Sequence, residues 1–217
     1  MLNDVENIKL FHFPATRSAR VRWALLETVG EGFELERVQL LKGEQFSLEY
    51  QAMNPNSAVP TLQISYTDGS VRHWIESSAL VEWLVDAHPE KGLAPEPGAS
   101  VARADYLQML HFAGSSMDMM LWQIRLHEHL LGEDQADQHT VTRYREKIAT
   151  EVEPQLAKRL ATQPYICGDA FSGADILMGH NVFWARAYAM CQDAVFADYL
   201  ARLAKRPAYR EAFSDLK

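Results

Sequence analysis

The spacing of hydrophobic and polar positions changes several times along the first 88 residues, and each change marks an element. Ile8 to Phe13 alternates, is rich in aromatics and stops before Pro14, which predicts a strand that ends at a loop. From Ser18 to Val29 the apolar residues Val21, Trp23, Ala24, Leu25, Leu26 and Val29 recur at helical spacing, with Gly30 and Gly32 as stop signals. Phe33 to Val38 alternates like a second strand. Lys42 to Met53 is polar and loosely helical and runs into Asn54-Pro55. Thr61 to Tyr66 and Val71 to Trp74 flank Thr67-Asp68-Gly69-Ser70 as a hairpin, and Glu76 to Ala87 is helical. Crossover helices early and a hairpin late predict an α/β unit with a small mixed sheet.

The pattern then changes character. His88 to Ala99 contains Pro89, Gly92, Pro95, Pro97 and Gly98, a composition that stops a helix and predicts an interdomain linker over 89–99. Beyond it every periodic segment is helical: Arg103 to Leu131, Val141 to Leu160, Ala174 to Ala189 and Ala194 to Lys205, with Gly132, Pro164, Gly168 and Pro207 near the breaks. The expected division is an α/β domain over 1–88 and an all-α helical bundle over 100–217.

Composition narrows the function classes. A chain of 217 residues with 47% hydrophobic and 23% charged residues is of ordinary globular make-up and can bury one or two cores. The first nine residues carry Asp4 and Glu6 and no basic segment leading into an apolar run, so the expected location is the cytoplasm. A formal net charge of -8 leaves no basic excess for phosphates, which argues against nucleic acid or a membrane surface as partner. The two cysteines, Cys167 and Cys191, have no metal or disulfide spacing and read as buried apolar fillers. His127 and His129 flank Glu128, but one residue apart on a helix they point in different directions, so no metal is expected.

Three segments carry candidate chemistry. Asn54-Pro55-Asn56-Ser57-Ala58-Val59-Pro60-Thr61-Leu62 leads a turn into a Val-Pro at the start of a strand; proline there cannot join the ladder, and the bond preceding it is one that can be cis. Glu76-Ser77-Ser78 puts an acid and hydroxyls at a helix start, where they either cap the helix or help form an anion site. Phe13-Pro14-Ala15-Thr16-Arg17-Ser18 joins the first strand to the first helix, and its hydroxyls, cation and helix terminus can each stabilise a thiolate; simple N-capping is the alternative.

Taken together these segments resemble the glutathione transferases, whose Asn-Pro-x-Gly-x-Val-Pro-x-Leu and Glu-Ser motifs they follow in order, with Ser57 in place of the glycine and Ala58 where Lys or Gln is frequent. The resemblance implies a thioredoxin-like N-terminal domain with a C-terminal helical bundle domain. It implies glutathione as co-substrate: a cis proline at Pro60, the backbone of Val59 on the cysteinyl part, and Glu76 and Ser77 on the γ-glutamyl end. Gln45 stands about where a polar residue meets the glycine carboxylate. Counting back from Arg20-Val21, Thr16 falls where serine-type members carry their serine and Arg17 where cysteine-type members carry cysteine; Thr16 is the favoured group beside the sulfur, with Ser18 and Arg17 close to it.

In the helical half, Gly168-Asp169-Ala170-Phe171-Ser172-Gly173-Ala174-Asp175 matches a structural pattern of the same family, with Ser172 and Asp175 spaced as a capping box, and Lys205-Arg206-Pro207 resembles its closing junction. Met109, Phe112 and Met117 are either core or the lining of a pliable apolar pocket for a small hydrophobic electrophile. The expected activity is glutathione conjugation by a homodimer. The alternatives are glutathione-dependent disulfide reduction or peroxidase activity on the same fold, and a non-catalytic interaction or regulatory role.

Overall fold

A computed structural model of the chain describes residues 4–216. Its residues divide into two compact units, one of 1–94 with 204–217 and one of 95–203.

The first unit is built on four strands, β1 (Val5–His12), β2 (Glu34–Arg37), β3 (Thr61–Tyr66) and β4 (Val71–Trp74), in the order β2-β1-β3-β4. β1 runs parallel to β2 and antiparallel to β3, and β3 forms the hairpin with β4. The alternation in β1 and β3 sets the register: Ile8 faces Ile64 and Leu10 faces Leu62, all four buried. A slip of one residue would turn these side chains to the wrong face, which is why the pairing is specified. β2 lies at the edge and is exposed throughout; Lys9 bridges to Glu34 and Glu36 at 3.3 and 3.2 Å, an exposed arrangement that adds little to the ladder itself.

Helices α1 (Ser18–Thr28) and α3 (Ser77–Asp86) pack against each other. The predicted helical stretch 42–53 is instead two 3₁₀ turns followed by α2 (Leu48–Met53). Gly43, at φ 75°, divides the turns, and Ser47 starts α2 by accepting from the Tyr50 N–H at 3.2 Å.

Residues 204–217, which the sequence pattern groups with the helical half, belong to the first unit. After Arg206, helix α10 (Pro207–Ala212) lies on α1: Trp23 packs edge-on against Tyr209 at 4.9 Å and Phe213 at 6.1 Å. The Arg206 guanidinium forks onto the Glu27 carboxylate with both bonds at 2.7 Å, while Trp23 Nε1 donates to the same carboxylate at 2.9 Å. Trp23 is fully buried and bidentate charge-assisted bonds are about twice as strong as neutral ones, so burial and pairing both hold the segment in place.

The second unit is helical: α4 (Val101–His111), α5 (Asp118–Arg125), α6 (Gln138–Lys147), α7 (Glu153–Leu160), α8 (Gly173–Ala187) and α9 (Ala194–Leu203). α8 is buried on almost every face from Gly173 to Val182 and packs against α4 and α9. The predicted helix over 103–131 is interrupted by π-turns at Phe112–Met117 and Leu126–Leu130. At the first of these, the Ala113 carbonyl accepts at 2.7 Å from the buried Asn181 amide of α8. A carbonyl released from the regular ladder is thereby satisfied.

Candidate functional site

The end of β1 and the start of β3 lie together because Phe11 pairs with Thr61 in the ladder. At the β1 end the chain turns through Pro14 and Ala15, the latter at φ 56°, and enters α1 with Arg17 as the cap residue. Thr16 is half-buried, and its Oγ1 lies 2.7 Å from the Phe13 carbonyl and 2.7 Å from Ser18 Oγ. The Ser18 N–H approaches Thr16 Oγ1 at 3.3 Å. Ser18 is fully buried, which removes it from direct contact with any ligand: its hydroxyl turns inward, 2.8 Å from His12 Nδ1. Arg17 sits partly exposed at the cap, and the Phe13 N–H donates to Ser18 Oγ at 3.1 Å.

His12 and Asp215 complete the cluster, and the sequence pattern had not singled out either. His12 is 1% exposed, and its Nε2 lies 2.9 Å from Asp215 Oδ2, a carboxylate that Arg22 Nη1 also approaches at 3.1 Å. Burial pushes the imidazole below its ordinary pKa, against the upward pull of the Asp215 hydrogen bond and charge; Arg22 and Arg37 lower it further. The ring is therefore neutral near pH 7. A histidine inside Leu10-Phe11-His12-Phe13 was a visible signal, a polar side chain within an apolar strand. Asp215 offered none, being 203 residues away.

At the start of β3 the Val59-Pro60 peptide is cis. The loop before it is held by Tyr50 and Asn54: the Tyr50 hydroxyl and the Asn54 amide both donate to the Ala58 carbonyl at 2.8 Å, and both reach Thr61 Oγ1, at 2.9 and 3.0 Å. Beneath them Phe11, Val38, Tyr50 and Val59 form an apolar cluster. Val59 lies outside the ladder, and among the described residues its N–H and C=O have no backbone partner. Ser57 keeps a left-handed φ of 51°, and its hydroxyl accepts from Gln51 Nε2 at 3.0 Å. That conformation is the reason for a glycine at this place in the motif.

Glu76 is exposed at the cap of α3 with φ 70° and ψ 102°, a backbone state that costs a non-glycine residue about 1–3 kcal/mol and persists only where its surroundings demand it. Ser77 is buried as the first residue of α3 and accepts from Arg20 Nη1 at 3.2 Å. Arg20 is itself fully buried on α1, so a guanidinium stands beside the first N–H groups of α3. Gln45 is half-buried, and its Oε1 is shut off from solvent with no hydrogen-bond partner among the described residues. Such an orphaned amide end is costly unless something pairs with it.

The remaining candidates separate from this group. Met109 and Met117 are core residues of the second unit, where burial at helical spacing accounts for them; of the three pocket candidates only Phe112, on the π-turn, keeps partial exposure. Cys167 and Cys191 are also in the second unit, and burial pushes both thiols up to about 12. Glu128 is taken up by a bidentate bond from Arg145, and His127 Nδ1 accepts from the Asp137 N–H at 3.0 Å. Among the described residues no helix is long and apolar enough to cross a membrane.

A mixed sheet of order β2-β1-β3-β4 with a cis proline opening β3, followed in the chain by an all-helical unit, defines a thioredoxin-like domain joined to a helical bundle. The profile of the glutathione S-transferase N-terminal domain matches residues 10–92. A maleylacetoacetate isomerase of Dictyostelium discoideum is 31% identical over 160 residues, covering 72% of this chain and 69% of its own. A probable maleylacetoacetate isomerase of Drosophila melanogaster is 28% identical over 192 residues, covering 86% and 77%. Among solved structures, a sphingomonad glutathione S-transferase complexed with glutathione superposes with a TM-score of 0.78 at 26% identity, covering 95% of this chain and 97% of that one. A glutathione transferase of Burkholderia graminis with two bound glutathione molecules per subunit gives a TM-score of 0.81 at 24% identity over 98% and 89%. The chain belongs to the glutathione transferase family.

Proposed function

We propose that this protein binds glutathione at the end of the β1–β3 sheet and uses its thiolate as the nucleophile toward a small electrophile. One observation carries the reading: a half-buried hydroxyl, Thr16 Oγ1, stands at the start of α1 with further hydroxyl and imidazole groups behind it. A thiol of ordinary pKa, about 8.5, is mostly protonated at neutral pH; a hydroxyl donor and a helix N-terminus favour the anion. The unpaired backbone of Val59 suits an extended peptide laid alongside it, and the cis Pro60 sets its direction. Glu76 attracts the γ-glutamyl ammonium, while Ser77 and the first N–H groups of α3, with Arg20 behind them, receive its carboxylate. Gln45, half-buried on the turn before α2, is the candidate partner of the glycine carboxylate, with its Nε2 as the donor.

The nucleophile is then the bound thiolate and no side chain of the chain itself. That favours addition or substitution at carbon over cysteine-based disulfide reduction, since Arg17 stands at the cysteine position and burial holds both cysteines protonated. Stable attack gives a conjugate. The same thiolate adding reversibly to an activated double bond, with rotation and elimination, gives a cis–trans isomerisation, and the identity to relatives named maleylacetoacetate isomerase favours that second reading. The working unit is taken to be a homodimer and the partner a small electrophile, hydrophobic if the reaction is conjugation.

Calorimetry with glutathione, then turnover with an activated aryl halide and with a cis unsaturated diketo acid, tests the proposal. Glutathione binding with turnover of either substrate is expected. No binding at millimolar glutathione would sink the reading and leave the interaction or regulatory role.

A further inference from the structure

Thr16, Ser18, His12 and Asp215 form one unbroken chain of hydrogen-bonding atoms, with steps of 2.7, 2.8 and 2.9 Å. It starts at a half-buried hydroxyl, passes through two buried side chains and ends at a carboxylate that is 29% exposed. We infer that His12, backed by Asp215, is the base that receives the glutathione thiol proton, relayed inward through Thr16 and Ser18. This inference rests on the proposed seat of the sulfur at Thr16. His12 touches no substrate atom and acts through the two hydroxyls as a positioning residue.

The chain has two complete hydrogen-bonding arrangements. In the first, His12 is neutral with its proton on Nε2, directed at Asp215; Nδ1 then accepts from the Ser18 hydroxyl, and Thr16 turns its one proton from the Phe13 carbonyl, its other acceptor at 2.7 Å, to Ser18 Oγ. Thr16 Oγ1 is left able to accept from a thiol. In the second, the S–H bond has broken and an O–H bond has formed at Thr16; the Thr16 proton has moved to Ser18, and the Ser18 proton to Nδ1. The donors from the sulfur through Thr16 and Ser18 to Nδ1 have reversed, while Nε2 still donates to Asp215. The products are a thiolate that accepts from Thr16 and an imidazolium that donates to Ser18 on one side and to Asp215 on the other. One proton has been passed, no charge has been created overall, and both hydroxyls stay paired throughout.

The surroundings fit a base that is empty at rest and charged only in use. Burial holds His12 neutral near pH 7, as an acceptor must be. The groups facing it are Asp215 from the segment after α10, Arg22 from α1, Arg37 from β2 and Ser18 at the start of α1. The two arginines oppose an imidazolium and Asp215 supports it, so the transferred proton sits in a shallow well. The imidazolium keeps both hydrogen bonds until the proton returns along the same path, to the product of an addition or to the leaving group of a substitution, which restores the neutral ring with its proton on Nε2.

The test is titration of the bound glutathione thiolate by its ultraviolet absorbance in the wild type, Ser18→Ala, His12→Gln and Asp215→Asn, with S-methylglutathione as a ligand that has no thiol proton. Asp215→Asn is the decisive variant: it keeps an oxygen acceptor for Nε2, sits at a partly exposed position that need not disturb folding, and removes only the charge. The expected result is about tenfold less thiolate at a fixed pH below the midpoint for Ser18→Ala and His12→Gln, and about threefold less for Asp215→Asn, with S-methylglutathione affinity kept within twofold. Wild-type thiolate curves in an Asp215→Asn protein that binds S-methylglutathione normally overturn the relay. If the wild type does not bind S-methylglutathione, the glutathione reading fails instead, and the relay with it.

Discussion

Two buried polar networks, one in each unit, are made of similar groups and differ in whether they are closed. In the second unit Asp175 is fully buried at the start of α8, where its two oxygens receive four donors: the Ile166 N–H and Tyr199 hydroxyl at 2.8 Å, the Ser172 N–H at 2.9 Å and the Ser172 hydroxyl at 3.0 Å. Each lone-pair direction of the carboxylate is used. Burial raises its pKa while all four donors pull the other way, and no acceptor is left for a ligand. In the first unit the hydroxyls of Thr16 and Ser18 each have several partners for one proton, and Thr16 is only half-buried. A network with a single solution holds a fold together; one with several of similar energy can respond to a substrate.

The largest effect that probes this contrast is Asp175→Ala. Four donors lose their acceptor in a fully buried site, and chemical denaturation is expected to show a loss of about 4 kcal/mol. A loss below about 1 kcal/mol would mean that the closed network is not what fixes the start of α8. Next comes Thr16→Ala, where kcat/KM is expected to fall about 100-fold, the effect of removing one donor from a developing anion, with stability changed by less than about 1 kcal/mol. Steady-state kinetics beside thermal unfolding separates the two readouts, and Thr16→Ser should recover most of the activity.

A third prediction concerns pH. His12 has a folded-state pKa below its unfolded value of about 6.5, so between those two values the unfolded chain binds the extra proton. Stability should therefore be full above about pH 6.5 and decline as the pH falls below it. His73, also lowered by burial, contributes in the same direction. Urea midpoints measured from pH 7.5 down to 5 should follow this course in the wild type and decline less in His12→Gln. The smallest effect belongs to Ser57→Gly: the left-handed backbone favours glycine by about 1 kcal/mol, and loss of the Gln51 bond offsets part of it, leaving a gain of about 0.5 kcal/mol.

Much of this was legible in the sequence where neighbours in the chain are neighbours in space. The β3–β4 hairpin lies at the predicted residues, since alternation and an Asp-Gly turn are local signals. The capping box of Ser172 and Asp175 is equally local. Motif resemblance led to Val59, Pro60, Glu76 and Ser77. What could not be read was tertiary. Helical spacing does not tell core from pocket, so Met109 and Met117 looked eligible for a substrate site until burial placed them in the interior. Ser18 looked as available as Thr16, because two hydroxyls on either side of Arg17 are distinguished only by which way the chain turns. The π-turns were invisible as well, since one extra residue per turn barely changes the spacing of apolar positions.

The return of residues 204–217 to the first unit sets an order of events during synthesis. His12 leaves the ribosome 203 residues ahead of its carboxylate, an interval of roughly 10–40 s at ordinary elongation rates. For that time the β sheet can assemble while the whole helical unit is still being made, but Trp23 lacks its aromatic cover and the imidazole lacks its counter-charge. A polypeptide cut short before Asp215 would therefore lack the carboxylate that His12 meets, and with it the far end of the proposed proton path.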